Sequence, residues 1–206
     1  MKLLLLTALF LLMLSAAAQK VVHKSVFLPA DHLLQIDARQ CFLVELDTNP
    51  GNTLEVEAMA EGEYNSEVLL LLGTEGSTTK VTADLTPLFV VPDDKLGAHK
   101  VISIALKVSL PEYRRVEVYG NLATITAHGL YETLRIFLEE GTCSLTQVGQ
   151  SVDVETRTAD IYVESAAASI LAESLFGEVS PNQIPQGANR FRLRTILGNI
   201  HLKRRE

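Results

Sequence analysis

Three arginines near the C-terminus, Arg190, Arg192 and Arg194, alternate with Phe191 and Leu193. On a strand, successive side chains point to opposite faces, so three guanidinium groups would project from one surface. The planar guanidinium fork suits an anionic glycan or a lipid headgroup, which makes this row a candidate anionic-ligand patch. His201, Lys203 and Arg205 repeat the pattern close to the chain end. The same charges have a structural use, because they discourage strand addition at the open edge of a last rung. That structural use is the expected one.

Residues for catalysis are sparse. Asp153, Glu155 and Arg157 share one alternating run, and Glu139 and Glu140 lie one segment earlier. Paired carboxylates there would serve a carbohydrate-active enzyme, although ordinary surface charge accounts for the same pattern. The five histidines, His23, His32, His99, His128 and His201, show no metal-binding spacing. No G-x-S-x-G elbow occurs. Asp93-Asp94-Lys95 sits between Pro92 and Gly97 and reads as a solvated turn, without the spacing of a calcium loop. Glu55, Glu57, Glu61, Glu63 and Glu67 read as the wet face of two strands and their connection. The expectation is a non-enzyme with no catalytic residue, no metal and no cofactor.

The elements that must carry these side chains are strands. Phe42, Val44 and Leu46 alternate with polar neighbours, as do Leu54, Val56 and Ala58. Ile102, Ile104, Leu106, Val108 and Leu110 make one apolar face, and Pro111 ends that strand. Leu69 to Leu72 fits a short buried strand.

An internal repeat occupies the second half. Gly120-Asn121-Leu122, Gly141-Thr142-Cys143, Ala159-Asp160-Ile161, Gly177-Glu178-Val179 and Gly198-Asn199-Ile200 recur at steps of 21, 18, 18 and 21 residues. Each is a small residue, a polar one and an apolar one. Two short strands and a small corner residue per period suggest stacked β coils, with a regular β-sandwich as the alternative. Gly120, Gly141, Gly177 and Gly198 would be the repeat corners, and Ala159 calls for a milder bend.

The N-terminus carries a different signal. Lys2, the apolar run Leu3 to Leu14, and Ser15-Ala16-Ala17-Ala18 form an export signal with cleavage expected after Ala18. The run is too short for a bilayer span, and no Cys follows it for lipid attachment. Cleavage removes Lys2 and no acid, so the formal charge of −7 becomes −8. That balance argues against a nucleic-acid partner. Cys41 and Cys143 permit one disulfide in an oxidising compartment, but Cys143 holds a repeat position taken elsewhere by Leu, Ile or Val, so a small buried hydrophobe is expected there. No N-x-[ST] sequon occurs. Of the five tyrosines, Tyr113, Tyr119, Tyr131 and Tyr162 fall in or beside the repeat strands, where they would stack on sugars or on one another.

Gly198-Asn199-Ile200, Gly177-Glu178-Val179 and the run from Val101 to Pro111 resemble a bacterial family named as putative adhesins, of the head-domain type with Gly-x-Ile/Val repeats. The resemblance covers about residues 21–202. It implies a right-handed β-solenoid-like fold at the cell envelope and no established catalytic residues. The expected organisation is a signal peptide at 1–18, an irregular β region at 19–111 continuous with it, and a repeat β-solenoid region at 112–206. The expected function is a non-catalytic binding or structural role in the envelope, periplasmic or extracellular. A glycan or an envelope protein is the expected partner, with no membrane span and no C-terminal sorting module. The alternatives are a carbohydrate-active enzyme and a packing subunit of an envelope complex.

Overall fold

The computed structural model describes residues 20–61, 68–85 and 103–205. The export signal, Ile102, Glu63, Glu67 and Asp93-Asp94-Lys95 lie outside the described residues. Among the described residues the fold is all-β. The strands are β1 (Lys20–Phe27), β2 (Leu33–Ala38), β3 (Cys41–Asn49), β4 (Thr53–Glu61), β5 (Val68–Glu75), β6 (Thr78–Leu85), β7 (Ser103–Pro111), β8 (Arg115–Thr156), β9 (Asp160–Ser165), β10 (Ser169–Ser174), β11 (Arg190–Thr195) and β12 (Ile200–Arg204). No described helix is long and apolar enough to cross a membrane.

β8 explains the architecture. A straight strand of its 42 residues would run roughly 140 Å. It bends instead, at Gly129 and Gly141 with φ of 111° and 116°, and at Gln147 and Gln150 with φ of 54° and 73°. The bends divide it into rungs that face alternate walls. On the first wall, residues 115–120 pair in parallel with β2, and residues 151–156 pair in parallel with β11. Amide donation from Glu132 and Thr133 to the Arg114 carbonyl, and from Arg157 and Thr158 to the carbonyls of Leu138 and Glu139, places 133–138 between them. On the second wall, residues 124–128 pair with β3 and residues 142–146 with β9, again in parallel. β6 and β5 extend the first wall, and β7, β4 and β1 extend the second. β5 at one end approaches β1 and β4 at the other, so the sheet nearly closes like a barrel.

The core is a single apolar cluster from Leu28 to Leu202. Alternation sends Val116, Val118, Leu134, Ile136, Val152, Val154, Phe191 and Leu193 inward from the first wall. Ile104, Leu106, Val108 and Leu110 are all buried from the second. Phe42 departs from the simple pattern. The register shifts between Cys41 and Leu43, which buries Cys41 and leaves Phe42 44% exposed. Cys41 and Cys143 are both free and buried. In the Leu69 to Leu72 run, Leu70 is buried while Leu71 faces out.

The spatial order at the C-terminal end differs from chain order. β11 lies between β8 and β10, and β12 lies beside β9. The last segment is thus inserted between two earlier ones, and β10 is the outermost strand of the first wall. Parallel strands need only a long enough connection, here residues 175–189, so chain order does not dictate stacking order. Ile184 in that connection is buried and closes the end of the core.

Candidate functional site

The outward face of the first wall carries a groove of about 520 Å³. Thr133, Arg135, Ser151, Asp153, Ser169, Arg190 and Arg192 supply its polar walls, and Leu171 an apolar part of the rim. Strand register builds it from two rows. One row runs Leu33, Arg115, then Thr133 in the intervening rung, then Ser151, Arg190 and Ser169. The other runs Gln35, Glu117, Arg135, Asp153, Arg192 and Leu171. Parallel strands about 4.8 Å apart put Arg115 and Arg190 roughly 14 Å from one another along the first row.

Charge alternates along the second row. Arg135 Nη1 lies 3.3 Å from Glu117 Oε1, and Arg192 Nη2 lies 3.0 Å from Asp153 Oδ2. Asp153 Oδ1 is buried and accepts no hydrogen bond. Arg190, in the other row, has no ion-pair partner among the described residues and stands between Ser151 and Ser169 in register. A second hollow of about 230 Å³ shares Thr133 and Arg135 with the groove and reaches Arg115. Arg115 Nη2 donates to the Asp31 carbonyl at 2.5 Å. Glu132 lines a third hollow, of about 380 Å³, together with Ser151 and Arg190.

Arg190, Arg192 and Arg194 therefore share one face, but they differ in availability. Arg194 pairs with Glu155 one row away and does not line the groove. None lies on an edge strand, because β10 covers β11, so these charges do not guard an open rung as expected from sequence. Asp153 and Glu155 are each engaged by a guanidinium, and Arg157 Nε donates to Glu139 Oε2 at 2.8 Å. Thr133, Arg135, Ser151 and Ser169 escape a reading of single strands. The signal for them is the eighteen-residue step that relates Glu117, Arg135 and Asp153.

The glycines sit where rungs touch. A Cβ on Gly141 would meet the Ala123 carbonyl oxygen at 2.1 Å, and one on Gly198 would meet that of Ala159 at 2.1 Å. Gly177 lies against Gly198, and Gly120 lies against the side chains of Leu138 and Ile125.

The aromatics pair across rungs. Tyr119 stacks on Phe137 with ring centroids 5.1 Å apart, and its hydroxyl donates to Glu117 Oε2 at 3.0 Å. Partial burial, then that carboxylate, raise the Tyr119 pKa. Tyr162 stacks on His201 at 4.5 Å on the opposite wall. Tyr131 is buried outright, and Tyr113 is exposed with φ of 57°. His128 is exposed and bonds Gln147 at 3.0 Å.

No family model matches the chain. No curated protein matches it. Solved structures do. A structure described as a "putative cell adhesion protein" from Clostridium sporogenes superposes with a TM-score of 0.62 at 12% identity, over 91% of this chain and all of that one. At that identity the likeness shows the fold. A "putative adhesin" from Bacteroides fragilis matches over 92% of this chain and 99% of its own, at 10% identity and a TM-score of 0.32.

Proposed function

We propose that this chain is a non-catalytic, adhesin-like binding protein of the cell envelope, and that the outward face of the first wall is its binding surface. The observation that carries this reading is the groove between the rows of Arg190 and Arg192. It is set on a parallel sheet, and the carboxylate among its lining residues, Asp153, is tied to a guanidinium, Arg192. A hydrolase needs one carboxyl group free to donate a proton and a second free to attack or to activate water. Asp153 and Glu155 are instead each paired with a guanidinium, Arg192 and Arg194. The cell adhesion protein that shares the fold supports the same direction.

The finer picture follows the sequence. Residues 1–18 are a signal peptide, and the mature protein is periplasmic or extracellular. Residues 112–206 form right-handed solenoid-like coils continuous with the β region at 19–111, and Gly120, Gly141, Gly177 and Gly198 mark the corners. Parallel pairing of residues 142–146 with 160–164, an eighteen-residue step, supports this arrangement. Cell fractionation followed by a glycan array on the mature protein tests the role. Recovery outside the cytoplasm with selective glycan retention is the expected result. A cytoplasmic protein, or one that retains no glycan, would contradict it.

A second reading has its own observation. Leu171, Leu175, Phe176, Ile196 and Leu197 are exposed around the C-terminal end, with Leu175 at 69% and Phe176 at 73%. Exposed apolar residues beside an outermost strand suit a packing subunit of an envelope complex. Co-purification of a stoichiometric envelope protein, lost on Phe176→Ser, is the result that reading requires.

A further inference from the structure

We infer that the groove around Arg190 binds an acidic carbohydrate, with the carboxylate of a uronic-type sugar on Arg190 and a sugar hydroxyl on Asp153. This rests on the reading of the first wall as a binding face, and it names the ligand class. Three features of the groove each select one part of such a ligand.

Arg190 selects the anion. Among the described residues it is the groove guanidinium without an ion-pair partner: Asp153 in the same groove pairs with Arg192, and Glu132, which shares the adjoining hollow with Arg190, makes no ion pair with it. Ser151 and Ser169 flank it in register, so hydroxyl donors stand on both sides of the bound oxygens. The chain as a whole carries −7, so a locally basic trough discriminates by position rather than by bulk attraction.

Asp153 selects a hydroxyl. Its Oδ1 is buried, but the side chain as a whole is 18% exposed, and Oδ2, which Arg192 meets at 3.0 Å, is the oxygen left for a ligand to reach. A carboxylate oxygen accepts hydrogen bonds, so the ligand group that meets it is a donor. A sugar hydroxyl supplies one. A phosphodiester or a bare sulfate carries no donor and would be repelled by Asp153.

Leu171 selects an apolar patch. It stands 56% exposed at the rim, in register with Arg192. A pyranose ring presents C–H groups on one face and hydroxyls around its edge, which matches an apolar shoulder beside a polar floor. The continuation of the trough to Arg115, roughly 14 Å away, gives a second cation for a further acidic unit of the same polymer.

The test is titration of the full mature chain with polygalacturonate, with its methyl-esterified form, with neutral dextran and with phosphatidylglycerol vesicles. Arg190→Gln and Lys107→Gln are run alongside, the latter on the opposite wall, and circular dichroism checks that each is folded. The expected result is binding to polygalacturonate alone, weakened by salt, and roughly tenfold to a hundredfold weaker in Arg190→Gln but unchanged in Lys107→Gln. Binding that Arg190→Gln leaves intact would overturn the site. Preference for the esterified polymer, for dextran or for vesicles would overturn the ligand class while leaving a binding role standing. No binding to any of the four would count against the binding face as well.

Discussion

Gly198 lies against the backbone of Ala159, so closely that a Cβ on it would come within 2.1 Å of the Ala159 carbonyl oxygen. The contact joins two rungs that are 39 residues apart in sequence and adjacent in space. Rungs at that separation leave no room for a methyl group. Gly198→Ala should therefore destabilise the fold by about 2–4 kcal/mol, because backbone rather than a flexible side chain must move. Gly73 has nothing within 4 Å of the same added atom, so Gly73→Ala should change stability by less than about 1 kcal/mol. Urea midpoints of the two variants check the contrast. Equal effects would mean that the rungs are not in this register.

Tyr131 is the largest fully buried side chain among the described residues, and its hydroxyl lies 3.2 Å from the Leu46 carbonyl and 3.1 Å from that of His128. It ties a bend of β8 to β3. Tyr131→Phe should cost about 1–2 kcal/mol, since it removes a buried hydrogen bond from the hydroxyl to one of these carbonyls. Chemical denaturation with an unchanged slope would show that the loss is local.

Burial raises both thiols. Cys143 and Cys41 are each pushed up to about 12, Cys41 further helped by the charges of Asp37 and Asp84. The unfolded thiol ionises near 9, the folded one near 12. Stability from each thiol is complete below pH 9 and is lost as pH rises towards 12, at about 1.4 kcal/mol per pH unit. Cys143→Val should flatten the alkaline limb of a stability–pH curve measured between pH 8 and 11. The native protein should also resist a thiol reagent at pH 8 and react with it once unfolded.

The sequence made the strands legible because their signal is local. Ile104, Leu106, Val108 and Leu110 alternate within a single element, and each is buried. Phe42 broke the pattern through a register shift, which depends on how β3 meets β7 and leaves no mark in the residue types. The insertion of β11 between β8 and β10 was not legible either. Parallel pairing is decided by which faces fit after a long connection, and Arg190 to Thr195 would read identically on an edge. That is why the arginine row was legible as a row while its partners were not. Asp153 lies 39 residues before Arg192, and Ser169 lies 21 before Arg190. The step of eighteen was present at Glu117, Arg135 and Asp153, but it becomes a site only once the rungs stack.

The most direct measurement follows amide resonances of the mature protein during addition of polygalacturonate, with the polymer's length followed in the same samples. The account predicts shifts concentrated at Thr133, Ser151, Asp153, Ser169 and Arg190, with the polymer intact. Shifts confined to the opposite wall around Tyr162 and His201, or progressive shortening of the polymer, would contradict it.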